Sequence, residues 1–199
     1  MTVFRSRNLS KIIPNETDQE HLRVIRASVT SFLARCGLAY GSRSARLLDV
    51  APQDHEGARS HFPNVVIVET IDINPDSGAT YVGDITKLNE CLVADGYDFV
   101  VCTEVLEHTL NPFAAIAEIQ RILKPSGLLM LTVPFNFRIH GPLPDCWRFT
   151  EHGLRSLLSD FDLIELSTVE CPGRPLMPIH YRVVARKDSR NNLYSRNVT

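Results

Sequence analysis

The chain has 199 residues, 44% of them hydrophobic and 22% charged, with a formal net charge of −2. That length holds one domain with a substantial core, and the balanced charge gives no electrostatic reason to expect nucleic acid or an anionic membrane as a partner. No apolar run reaches bilayer length, and the N-terminal MTVFRSRNLSKII lacks the continuous apolar core of a signal peptide.

In chain order, residues 1–16 show no strong period and are expected to form an arm. Thr17 followed by Glu20 reads as a capping box that opens a helix. Leu22, Ile25, Val29, Phe32 and Cys36 recur at helical spacing on its apolar face, which is expected to pack on a sheet. Arg46 to Ala51 reads as the first strand, Val65 to Asp72 as the second and Thr80 to Val82 as the third. A short helix is expected over Leu88 to Ala94. Tyr97 to His108, YDFVVCTEVLEH, then passes from a buried apolar run into functional groups at Thr103, Glu104, Glu107 and His108.

Asn111 caps the next helix with Pro112 at its first position, where the missing N–H costs nothing. Leu128 to Val133 is the following strand, and Pro134 to Phe149 is a long polar and aromatic loop. Thr150 and Glu151 open a helix. Leu163 to Val169 and Tyr181 to Ala185 are late strands with no helix between them, as in an antiparallel hairpin at a sheet edge. Strand and helix otherwise alternate, which implies crossover connections and a mainly parallel sheet covered on both faces: a Rossmann-like, doubly wound α/β fold. We expect an N-terminal arm and covering helix over 1–45, the sheet domain over 46–187 and a flexible tail over 188–199.

The five cysteines, Cys36, Cys91, Cys102, Cys146 and Cys171, include no CxxC pair. An odd count without a secretory signal points to reduced thiols in the cytoplasm. The sequons at Asn8, Asn15 and Asn197 are then chance matches. His55, His61, His152 and His180 have no spacing that points to metal, and no metal is expected.

Asp49, Asp72, Asp84 and Thr103-Glu104 each close a strand, and ligands of open α/β sheets bind at the carboxyl ends of strands. With the stretch YDFVVCTEVLEHTLNPFAAIAEIQRILKPSGLLMLTVP, this pattern resembles the class I S-adenosylmethionine-dependent methyltransferases of the small-molecule type. The resemblance runs from about Arg46 to Lys187 and implies a seven-stranded sheet with an antiparallel last strand. It also implies S-adenosylmethionine as cofactor. Asp49 would lie under the methionine portion, with Ala51 and Gln53 in the adjoining loop. Asp72 would take the ribose hydroxyls, Ile73 would pack on adenine and Asp84 would accept from its amino group. Backbone at Cys102 and Thr103 would receive the methionine ammonium, and Ile85 and Glu104 complete the expected cofactor set. The family's glycines after the first acidic residue are replaced here by Ala51, Gln53 and His55.

Methyl transfer needs orientation and, for a hydroxyl acceptor, a base. His140, paired with Asp145, is the candidate base, and His108 is a second candidate for proton transfer. Trp147 and Arg148 are candidate substrate contacts, with core packing and a salt bridge as the alternative roles. The expected acceptor is an oxygen or nitrogen of a small polar metabolite, such as a sugar or glycoside. A catalytically silent binding or scaffold module is the alternative. The oligomeric state is left open, with a homodimer as one arrangement.

Overall fold

Residues 13–52, 57–65 and 67–188 are described by the computed structural model. Residues 1–12 of the arm expected over 1–16, the tail beyond Asp188, and Gln53 and His55 lie outside the described residues. Helix α1 runs over Glu16–Tyr40 and is followed by β1 (Arg46–Val50), a 3-10 turn (Gly57–His61), β2 (Ile67–Asp72) and β3 (Tyr81–Val82). Then come β4 (Tyr97–Thr103), a 3-10 turn (Leu106–His108), α2 (Pro112–Ile122), β5 (Leu123–Pro134), α3 (Glu151–Leu157), β6 (Phe161–Val169) and β7 (His180–Lys187).

The seven strands form one sheet in the order β3-β2-β1-β4-β5-β7-β6. β1 pairs in parallel with β2 and β4, and β4 with β5. β7 runs antiparallel between β5 and β6. The expected late hairpin is therefore present, with its second strand inserted inside its first. The central strands are apolar runs because both faces are covered. On one face Phe32, Leu33 and Cys36 of α1 pack with Leu47, Phe62, Phe99, Val101 and Met130. On the other, Ile116 and Ile119 of α2 and Leu154 of α3 pack with Leu48, Val100 and Leu131.

Two local expectations are corrected. The capping box of α1 belongs to Asn15 and Asp18, not to Thr17 and Glu20: Asn15 Oδ1 accepts from the Asp18 amide at 2.8 Å, and Asp18 Oδ2 accepts from the Asn15 amide at 3.2 Å. Leu88 to Ala94 is a chain of turns rather than a helix. Asn89 explains this, because its side-chain amide donates to the carbonyls of Asp84 and Lys87, at 3.1 and 2.8 Å. Such local bonds compete with helix formation.

Candidate active site

The carboxyl ends of β1 and β4 meet at the centre of the sheet, where the strand order reverses direction and a crevice opens. Asp49 is buried there, and its carboxylate accepts from the Ala58 amide at 2.7 Å. The chain leaves β1 through Ala51 at φ 49°, a left-handed conformation that ordinarily favours glycine. It returns through Gly57 at φ 48°, where a Cβ would sit 2.4 Å from Asp49 Oδ2 and 2.9 Å from Pro52 Cβ. Gly57 thus supplies a bare backbone beside Asp49, although Ala51 stands where the family has a glycine.

A cavity of about 320 Å³ lies over these strand ends, lined in part by Asp49, Gly57, Thr103, Glu104 and His140. Its roof is α1, which contributes Ile25, Arg26, Val29 and Leu33. Two contacts tie this helix to the loop after β5: His21 Nδ1 with the Asn136 carbonyl at 2.8 Å, and Arg138 with Asp18 at 3.4 Å.

Asp72, Ile73 and Asp84 sit to one side, on an open shelf at the ends of β2 and β3. Asp72 Oδ1 accepts from the Asn74 amide at 2.7 Å, and Ile73 is 69% exposed, an apolar side chain with no core to enter. Asp84 accepts from the Thr86 amide and hydroxyl. Burial opposes its charge, but these bonds, with Lys87 at 3.4 Å, hold its carboxyl below the usual value. Ile85 is buried beneath the shelf in the core. Cys102 is likewise fully buried, and burial pushes its thiol up, so it contributes backbone rather than a nucleophile.

The loop over 135–150 folds back on the turn after β4. The amides of Cys146 and Trp147 donate to the Glu107 carbonyl at 2.7 and 3.2 Å. His140 Nδ1 lies 3.1 Å from Asp145 Oδ2, so the expected pair exists. Asp145 also accepts from the His140 amide at 2.9 Å and from Arg148 at 2.7 Å. Burial would raise the Asp145 carboxyl, but Arg148 and the His140 amide hold it below its ordinary value. Burial in turn lowers His140, against the opposing charge of Asp145. His108 stacks edge-on against His140 with ring centroids 4.8 Å apart.

Of the two roles expected for Arg148, substrate contact or salt bridge, the structure shows the Asp145 salt bridge, and the side chain clamps the loop. Besides Asp145 it donates to the carbonyls of Phe137, Arg138 and Trp147, which occupies all five of its N–H groups. Trp147 donates to the Thr109 carbonyl at 2.8 Å and stacks on Phe149, and the residue remains 40% exposed.

Sequence reasoning gave no role to three groups that the structure brings to the site. Glu107 is fully buried, neither carboxylate oxygen has a hydrogen-bond partner, and burial together with the nearby Glu104 pushes its carboxyl well above the usual range. His180 is also fully buried; its Nε2 lies 2.8 Å from Ser28 Oγ and its Nδ1 3.4 Å from Glu104 Oε1. Only contact between distant segments reveals His180, whereas Glu107 was visible as a charge in an otherwise apolar stretch. The third is Gly57, which follows the first loop directly.

A methyltransferase-domain family matches residues 19–167, three quarters of the chain. The chain belongs to the S-adenosylmethionine-dependent methyltransferases. Among solved structures, this methyltransferase is similar to the N-methyltransferase NodS from Bradyrhizobium japonicum WM9, at 17% identity and a TM-score of 0.59, over 82% of this chain and 97% of that one. NodS has also been solved in complex with S-adenosyl-L-homocysteine. The methyltransferase of a complex with the Haloferax volcanii Trm112 activator aligns at 14% identity with a TM-score of 0.63, over 89% and 100% of the two chains. The [4+2]-cyclase SpnF aligns at 18% identity with a TM-score of 0.62, over 81% and 80%. At these identities the likeness is one of fold. No curated protein sequence matches the chain.

The methyltransferase's cofactor is S-adenosylmethionine, and the described residues fit it. The Gly57 backbone closes on Asp49 where a side chain would collide, and the strand ends carry acceptors beside an exposed apolar Ile73. No described helix is long and apolar enough to cross a membrane.

Proposed function

We propose that the protein methylates an oxygen or nitrogen of a small polar metabolite, with a sugar or glycoside as the favoured class. The observation that carries this reading is the 320 Å³ cavity, which has Asp49, Thr103, Glu104 and His140 in its walls and a helix across its top. That volume suits the methionine end of the cofactor and a small acceptor, and the walls offer several hydrogen-bonding groups.

When bound, S-adenosylmethionine supplies an electrophilic methyl group for in-line displacement. The chain supplies placement and proton handling. In this reading Asp72 accepts from the ribose hydroxyls, and Ile73, with Asp84 and the underlying Ile85, holds adenine on the open shelf. Asp49, Ala51, Gln53 and the β4 end at Cys102, Thr103 and Glu104 hold the methionine portion. An acceptor hydroxyl meets the cluster of His140, Asp145, His108 and Glu107, where its proton leaves. Trp147, partly exposed at the loop, offers a ring face to the acceptor.

Calorimetric titration with S-adenosylmethionine and S-adenosylhomocysteine tests the cofactor assignment. Micromolar binding is expected, and Asp72→Ala should weaken it by about tenfold to a hundredfold through loss of a charged hydrogen-bond acceptor. Absence of binding at millimolar ligand would favour the silent-module alternative. Once an acceptor is found by transfer of labelled methyl, His140→Ala should lower turnover by about a hundredfold or more while cofactor affinity is kept. Unchanged turnover would remove His140 from the proton path.

A further inference from the structure

Glu107 and His108 lie in the turn after β4, while His140 comes from the loop after β5. One ligand atom from each falls within 4.8 Å of the others. The Glu107 side chain is fully buried and both its oxygens lack a hydrogen-bond partner. The proton positions of the two rings follow from what their other nitrogens face. His108 Nδ1 is 3.0 Å from the Pro144 carbonyl, which only accepts, so this nitrogen carries the proton. His140 Nδ1 lies between Asp145 Oδ2 at 3.1 Å and the Arg138 carbonyl at 3.3 Å, again two acceptors.

In each neutral ring, Nε2 is therefore the lone-pair nitrogen. Both Nε2 atoms stand 3.8 Å from Glu107 Oε1. Three acceptors thus converge on one point. We propose that Glu107, His108 and His140 bind a divalent transition-metal cation between them. Two imidazoles and a carboxylate form a donor set suited to iron, cobalt, manganese or zinc in the divalent state. Ligand bonds of about 2.1 Å in tetrahedral geometry would bring the donors to roughly 3.4 Å apart, against 3.8 Å from Glu107 Oε1 to each Nε2 and no more than 4.8 Å across the set.

The surroundings match a metal site beyond the donors themselves. A ligating histidine characteristically donates its other N–H to a carboxylate or carbonyl, as His140 does to Asp145 and His108 to Pro144. Asp145 is in turn clamped by Arg148 at 2.7 Å. His140 also lines the cavity, so an acceptor oxygen there can join the cation's coordination shell. A coordinated hydroxyl is acidified, and its proton passes to solvent without a free imidazole as base. This role rests on the methyl-transfer reading; binding of the cation does not.

The test is titration of the chelator-treated full chain with cobalt(II), followed by its visible absorption. The expected result is one equivalent bound at micromolar concentration, with affinity reduced at least about tenfold in Glu107→Gln and in His108→Ala. S-adenosylhomocysteine binding by both variants, measured by calorimetry, confirms that they are folded. The inference is overturned by absence of absorption up to millimolar cobalt, by equal affinity in the folded variants, or by thiolate charge-transfer bands that place cobalt on a cysteine. If cobalt binds as expected but S-adenosylhomocysteine does not bind the parent protein, the cation site stands and the cofactor assignment falls; a melting transition then reports the fold of the variants.

Discussion

At the residue scale, the turn after β1 shows how a family's glycine rule can be met at another position. Ala51 accepts a left-handed φ while its amide donates to the Ile71 carbonyl at 2.7 Å, so the sheet holds the strained residue in place. The close approach that needs a bare backbone falls at Gly57. Gly57→Ala combines a left-handed backbone with a Cβ 2.4 Å from a buried carboxylate oxygen. Chemical denaturation should show a loss of about 1–3 kcal/mol, together with weaker cofactor binding as Asp49 is displaced. Ala51→Gly should cost nothing measurable in binding. Neither residue's role follows from its identity alone, because what each backbone position meets, Ile71 at Ala51 and Asp49 at Gly57, comes from other parts of the chain.

At the scale of elements, α2 is the best-specified piece of the chain. Asn111 caps it, accepting from the Ala114 amide at 3.1 Å, and Pro112 occupies its first turn as the sequence indicates. Asn111→Ala should lower stability by about 1 kcal/mol in urea titration. The helix also carries Glu118, which orders the turns over Leu88 to Ala94. Its carboxylate accepts from the Asn89 amide at 2.9 Å and from Arg121 at 2.7 Å. Burial opposes the Glu118 charge, but Arg121 and Asn89 hold its carboxyl below the usual value. A depressed carboxyl stabilises the fold above the unfolded pKa of about 4.3, and that contribution is lost as pH falls through the lower folded value. Glu118→Gln should therefore destabilise the protein at neutral pH and flatten the acid limb of its stability profile, as followed by thermal melts from pH 3 to pH 7.

At the scale of the whole molecule, the helix that precedes the sheet in sequence completes the site at its centre. Phe32 is 1% exposed between α1 and the strand face, and Phe32→Ala should cost about 3–5 kcal/mol as the cavity cannot fully collapse. Because the same helix lends Ile25, Arg26, Val29 and Leu33 to the cavity, the variant should also bind S-adenosylhomocysteine less tightly under conditions where it remains folded. Retention of full affinity in calorimetry would show that α1 covers the site without shaping it. The family match begins inside this helix, at residue 19, so α1 is part of the matched domain rather than an appendage to it.

The period of apolar residues and the caps at Asn111 and Thr150 determined the alternation of strands and helices from sequence alone, and the family resemblance carried by the stretch from Tyr97 to Pro134 implied the cofactor. These features are local, and they recur wherever a strand must be buried and a helix begun. What lay beyond the sequence is non-local. Thr17 and Glu20 match the capping-box pattern in sequence, and only the chain's path into α1 puts the cap at Asn15. Arg148 is read equally well as an anion binder until the loop folds and its N–H groups meet Asp145 and three carbonyls. His140 reaches Glu107 and His108, more than thirty positions earlier, because β4 and β5 are paired neighbours and their following loops share one sheet end. Sequence spacing cannot register that meeting, since the sheet rather than the chain brings the three side chains together.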